Sequence, residues 1–324
     1  MRKTTIGLVG AAFVALCAAA SPWLATRSVH ASGFNESLTT LDPPGSIDTR
    51  PFGISSTGDI VGLYFTADQR GHGFLLTRGV YTSIDVPGAI RTNAVGITVL
   101  SSRRSRRDDD EHQMNACPGG CRDLAIVGRY DTPDGKGHGY LLSGGALTTI
   151  DFPGATFTVA TGINPSGHIV GRYRSPDGMF HGYSLIDGSF TTIDYPGAIS
   201  IQGITINRRD DIAGYYVDAA GVFHGFLLSE GSFTTFDPPG SVNTGGPASA
   251  LGINSRGEIV GCYTTADGRT HGFVLRNGSF TSFDIAGVRL TCNNGVNQHG
   301  DIVGLFEDVT GRRHGFLAPK GTEH

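Results

Sequence analysis

The tripeptide His-Gly-aromatic occurs six times, at His72, His138, His181, His224, His271 and His314, and ten residues before each histidine stands a glycine: Gly62, Gly128, Gly171, Gly214, Gly261 and Gly304. A spacing that repeats without drift means one supersecondary unit built over and over, each copy too small to bury an apolar face alone and obliged to stack on its neighbours. The unit reads as β-structure. In the third copy, Thr161–Asn164, Ile169–Tyr173, His181–Ile186 and Phe190–Asp194 are strand-like runs separated by Pro165-Ser166-Gly167, Pro176-Asp177-Gly178 and Asp187-Gly188. Four short antiparallel strands at such a period are the blade of a β-propeller. Glycine at 49 of 324 positions and a charged fraction of 17% suit tightly turned chains of this kind. Glycines inside the second and third strands permit close backbone approach, as blades packed face to face require. Alternation puts His181 and Tyr183 on one face and Gly182 on the other, so one face of each blade is expected to be aromatic and branched and the other small.

Thirteen residues after each of the first five histidines comes an aspartate, Asp85, Asp151, Asp194, Asp237 and Asp284, closing a Thr-Thr-Ile-Asp-like run before a Pro-Gly or Ala-Gly turn. His314 has no such partner downstream, but an orphan copy, Leu38-Thr39-Thr40-Leu41-Asp42, stands near the other end of the chain. This offset predicts a ring in which the N-terminal strand completes the last blade and leaves no sheet edge exposed. The expected fold is all-β: a six-bladed propeller of four-stranded blades forming one domain over residues 32–324, with units near 37–79, 80–145, 146–188, 189–231, 232–278 and 279–321.

From each repeat aspartate to the next second-strand glycine the distance is 20 residues in four copies, 24 before Gly261 and 43 before Gly128. The short insertion surrounds Gly245-Gly246-Pro247-Ala248. The long one, residues 99–123, falls in the hairpin between the first and second strands of the second blade and holds Arg103, Arg104, Arg106, Arg107, Asp108, Asp109, Asp110, Glu111 and His112 before Cys117-Pro118-Gly119-Gly120-Cys121. It reads as a solvated loop whose opposite charges neutralise one another. The alternative is a docking element or cation site on Asp109, Asp110 and Glu111, although the spacing is not that of an EF-hand and no metal is expected.

Six His-Asp pairs invite a catalytic reading, but a feature present in every blade is explained by what every blade must do, so the pairs are expected to be scaffold. The sequence has no Gly-x-Ser-x-Gly, His-Glu-x-x-His, phosphate-binding glycine loop or Cys-x-x-Cys. No catalytic residue and no cofactor is assigned, and an enzyme is the disfavoured reading. Departures from the repeat are the candidate binding residues. Arg129 and Arg172 follow the second-strand glycine where other blades have Leu63, Tyr215, Cys262 or Leu305, and His168 replaces the acid found at Asp59, Asp211, Glu258 and Asp301.

Arg2 and Lys3 precede an apolar stretch to Ala20, and small residues follow, as in a signal peptide over residues 1–31 cut before Ser32, or earlier before Ser21. An uncleaved anchor and a lipid-modified Cys17 are the alternatives, the latter disfavoured by Leu16. Export predicts a secreted or periplasmic protein, without a membrane span once the leader is removed. Loss of Arg2, Lys3 and Arg27 would leave 22 basic against 29 acidic side chains, which disfavours nucleic acid as a partner. The remaining cysteines are expected to pair as Cys117 with Cys121 and Cys262 with Cys292. The one tryptophan, Trp23, lies in the leader, so sugar stacking would fall to Tyr and Phe.

The run Gly252-Ile253-Asn254 to Gly261, followed by His271-Gly272-Phe273-Val274-Leu275, resembles the bacterial extracellular HAF repeats, named for a His-Ala-Phe signature, with glycine here in place of the alanine in every copy. The resemblance covers the whole mature chain; it implies export and β-architecture and carries over no catalytic residue. The sequence is therefore read as a monomeric, non-catalytic extracellular interaction module for a protein or glycan ligand. The alternatives are a lectin-like propeller with repeated sugar sites and a polysaccharide hydrolase or lyase at a channel mouth.

Overall fold

The computed structural model describes residues 38–101, 123–246 and 250–320, with the backbone of Ala12–Phe13, Ala18–Ala19 and Ala31–Ser32 beside them. Most of the 99–123 insertion, including Asp109, Asp110, Glu111, Cys117 and Cys121, lies outside the described residues, as does most of the expected leader.

Among the described residues every regular element is a strand. Unit three shows the plan: Phe157–Ile163, Ile169–Arg174, Phe180–Ile186 and Ser189–Ile193 form a four-stranded antiparallel sheet in sequence order. Unit four repeats it with Ser200–Ile206, Ile212–Val217, Phe223–Ser229 and Ser232–Phe236. Units one and two begin at Asp48–Ile54 and Arg91–Val99, and unit six at Leu290–Val296. In unit five the first strand is split into Ser241–Thr244 and Gly252–Ile253, where the short insertion falls. The first strand of unit three starts at Phe157, earlier than the expected Thr161. Antiparallel pairing runs back to Phe157 opposite Arg174, and Thr158 Oγ1 accepts a hydrogen bond from the Phe152 amide at 3.1 Å, which carries the strand into the preceding turn.

The second-strand glycine marks the place where three chain segments meet. Its partner across the sheet is the aromatic of His-Gly-aromatic, as in Gly128 opposite Tyr140, and the first strand is bulged just there. A Cβ on Gly128 would stand 2.0 Å from the Asn93 carbonyl oxygen and 2.8 Å from the Tyr140 ring, so no side chain fits. At the third-strand glycine, Gly182, an added Cβ would stand 2.9 Å from the Ile193 carbonyl oxygen of the fourth strand and 3.3 Å from Ile201 of the neighbouring unit.

The apolar core lies between neighbouring sheets. Val61 and Ile84 of unit one pack with Ala94, Ile126 and Tyr140 of unit two, and Leu41, Tyr64 and Phe74 pack with Val303 of unit six. Strand Thr39–Leu41 pairs antiparallel with Arg313–Ala318, Leu41 opposite Gly315, and supplies the fourth strand of unit six. Asn294 Nδ2 of that unit donates to the Pro51 carbonyl of unit one at 2.8 Å. Cys262 of unit five and Cys292 of unit six form the expected disulfide.

Candidate functional site

Two kinds of site emerge: clefts between neighbouring units and a central cavity. The clefts are framed by the repeat pairs. In each unit the histidine Nδ1 meets the aspartate, at 2.8 Å for His72 and Asp85, 2.9 Å for His138 and Asp151, 2.9 Å for His181 and Asp194, 2.8 Å for His224 and Asp237, and 3.0 Å for His271 and Asp284. His314 meets Asp42 at 2.7 Å. Each imidazole also stacks on an aromatic ring of the second strand, such as Tyr173 against His181 with centroids 5.2 Å apart. The pair ties the third strand to the end of the fourth while part of the carboxylate faces solvent, with Asp85 47% exposed against 18% for its histidine.

Between units one and two a cleft of about 340 Å³ is lined by Arg70, Asp85, Gly88 and Thr92. Between units five and six a cleft of about 290 Å³ is lined by the equivalent Arg269, Asp284, Gly287 and Thr291. The floor is shaped the same way in both: Thr92 Oγ1 accepts from the Val86 amide at 3.0 Å and Thr291 Oγ1 from the Ile285 amide at 3.1 Å. Each cleft thus offers a half-exposed carboxylate to accept hydrogen bonds and an exposed guanidinium to donate them.

All six first strands contribute to one central cavity of about 400 Å³. Towards the ends of these strands it is ringed by branched residues, among them Ile54, Ile97, Ile163 and Ile206. Among the described residues the charged ones of its wall are Arg50, Arg91, Arg129 and Arg172, all from units one to three. Asp48 holds Arg50 through two hydrogen bonds of 2.7 and 2.8 Å, and Asp131 holds both Arg91 and Arg129. Rings cover the cations as well: Phe65 lies against Arg50, Phe157 against Arg129 and Phe180 against Arg172, at 5.2, 4.9 and 4.9 Å. Burial, with Arg129 nearby, pushes the Arg172 guanidinium down to about 10, so it keeps its charge at neutral pH. No acid among the described residues pairs with it.

The candidate pair Arg129 and Arg172 therefore comes together on one wall. His168 does not join them; its Nδ1 bonds Asp210 of unit four at 2.8 Å, near the hairpin between the first and second strands. Arg50, Arg91, Arg70 and Arg269 were not singled out from the sequence. Spacing offered a signal for Arg50, because Asp48-x-Arg50 places opposite charges two apart on one strand face, whereas Arg91 meets Asp131 only across two paired strands. Among the described residues no three His, Cys, Asp or Glu side chains gather as a metal site.

No protein-family model matches the sequence, and none of the curated proteins matches it. Solved structures do match. AofleA from Arthrobotrys oligospora aligns over 92% of this chain and 91% of its own, with TM-score 0.53 and 13% identity. The lectin of Aleuria aurantia, described as a fungal lectin with a six-bladed β-propeller fold and a novel fucose recognition mode, aligns over 86% of this chain and 99% of its own, with TM-score 0.51 and 11% identity. At these identities the likeness is one of fold, a β-propeller.

Proposed function

We propose that this chain is an exported, non-catalytic carbohydrate-binding propeller, its six blades closed into a ring by strand Thr39–Leu41 and its sugar sites repeated between blades. The observation that carries the reading is the recurrence of one cleft at equivalent positions, Arg70 with Asp85 and Arg269 with Asp284. A repeated cleft makes sense where several weak sites act together on a multivalent surface, as a glycan coat presents. Support also comes from the fold shared with a fucose-recognising lectin. Membership of the HAF-type extracellular repeats and cleavage before Ser32 belong to the same proposal.

The test is a glycan array probed with the protein from Ser32 onward, beside Arg70→Ala, Arg269→Ala, the double variant and a deletion of residues 101–122. Binding that weakens in each single variant, collapses in the double and survives the deletion is the expected result. An array without any retained glycan, or retention untouched by the double variant, would sink the reading. Binding lost only with the hairpin would move recognition to that loop and favour a protein partner.

A further inference from the structure

We propose that the arginine-lined wall of the central cavity is a binding site for a small oxyanion, the carboxylate of an acidic sugar or a phosphate group, held by Arg129 and Arg172. This site is separate from the clefts, and its case does not rest on them.

Charge balance is the first ground. Among the described residues four arginines and no carboxylate line the cavity, and the acids behind the wall do not match them. Asp48 is committed to Arg50, and Asp131 is divided between Arg91 and Arg129. Arg172 is left with the Phe180 ring and, among the described residues, no hydrogen-bond acceptor. Two neighbouring guanidinium groups that share less than one carboxylate repel each other in a half-enclosed space, and a bound anion relieves the repulsion.

Placement is the second ground. The position after the second-strand glycine is Leu63, Tyr215, Cys262 or Leu305 in the other four units, so the fold has no need of a cation there. Only the adjacent units two and three carry arginine, which confines the positive charge to one arc of the wall.

Shape is the third. With Phe157 and Phe180 against the two guanidinium groups, the remaining N–H donors are left for a forked acceptor such as a carboxylate or phosphate. Val159, Ile204 and Leu251 form apolar wall for the uncharged part of the ligand. A cavity of about 400 Å³ is within the usual range for a small-molecule site.

The experiment is isothermal titration calorimetry of the full chain at low ionic strength with galacturonate, galactose and inorganic phosphate. Saturable binding of galacturonate, of phosphate or of both is expected, and each arm names its source, while galactose should give no anion-site signal. In Arg172→Gln the affinity should fall about tenfold or more with the melting temperature unchanged or raised, and addition of salt should weaken wild-type binding. Arg172→Lys, which keeps the charge and loses the fork, should fall between the two. Arg129→Gln serves if Arg172→Gln does not fold. Arg70→Ala with Arg269→Ala, and Arg209→Gln on an exposed hairpin, should leave anion binding unchanged, which separates this site from the clefts. Absence of saturable binding for both anions, or affinity unmoved by Arg172→Gln, overturns the proposal.

Discussion

His314 Nδ1 lies 2.7 Å from Oδ2 of Asp42, a contact made across 272 residues of chain. It is the same bond that His138 makes with Asp151 only 13 residues away, but here it joins strand Thr39–Leu41 to the third strand of unit six. Strand Thr39–Leu41 brings Asp42 to this place, and it buries Leu38 and Leu41 to 4% and 1% exposure.

A chain beginning at Pro43 therefore loses two buried leucines and the pairing of Gly315 to Leu317. At about 2 to 3 kcal/mol per leucine, roughly 5 kcal/mol should go, or about 10 °C in melting temperature for a protein of this size. Hydrogen exchange at Gly315 and Leu317 should change from slow to fast. Unchanged melting would mean that the joint is not structural.

A pH dependence follows from unit four. Its third-strand histidine, His224, faces Asp237 through Nδ1 at 2.8 Å and Asp218 through Nε2 at 3.3 Å, where units one and five have Thr66 and Thr265 beside the ring. Burial works against the charge, yet the hydrogen bonds with Asp237 and Asp218 outweigh it and hold the imidazole above the ordinary histidine range. A raised value in the folded state gives stability that is complete below the unfolded histidine pKa of about 6.5 and is lost as pH rises through the folded value. Asp218→Thr should therefore cost most near pH 6, and the gap to wild type should narrow by pH 9. A gap that is constant across this range would show that Asp218 does not act through the charge on His224.

Tyr140 and Tyr183 are fully buried, and their hydroxyls have no hydrogen-bond partner among the described residues. Burial raises both well above the ordinary tyrosine value. The equivalent residues of the other units are Phe74, Phe226, Phe273 and Phe316, which fill the same space without a hydroxyl. Tyr140→Phe and Tyr183→Phe should each stabilise by about 1 kcal/mol, and together by about the sum, because the residues sit in different sheets. Thermal melts check this. A loss of stability in either variant would reveal a partner for the hydroxyl.

The repeat was legible because its residues are the ones that sterics and register leave no freedom to replace. Gly128 is required by the bulged carbonyl of Asn93, and the 13-residue step from His138 to Asp151 is the antiparallel register of the hairpin between Gly137–Ser143 and Ala146–Ile150. Pairing of Cys262 with Cys292 was legible from cysteine parity in a chain expected to be exported. The clefts were not, because Arg70 and Thr92 belong to different units and meet only where strand Gly71–Thr77 pairs in parallel with Arg91–Val99. Convergence of Arg129 and Arg172 depends in the same way on the angle between sheets, which no local spacing encodes. His168 looked equivalent as a departure from the repeat, but its place in the hairpin just before strand Ile169–Arg174 directs it to Asp210 instead.

The disulfide between Cys262 and Cys292 joins the second strand of unit five to the first strand of unit six, with 30 residues between the two cysteines. A cross-link of that span removes loop-closure freedom from the unfolded chain and should contribute about 3 to 4 kcal/mol. The double variant Cys262→Ala with Cys292→Ala should melt lower by roughly 6 to 8 °C. Reductant should lower wild-type melting by the same amount and leave the double variant where it is. A further fall of the double variant under reductant would mean that a second bridge, the one expected between Cys117 and Cys121, also carries stability. No difference between wild type and variant would mean that unit six is held to unit five by packing of Phe283 on Phe316 and their neighbours rather than by the cross-link.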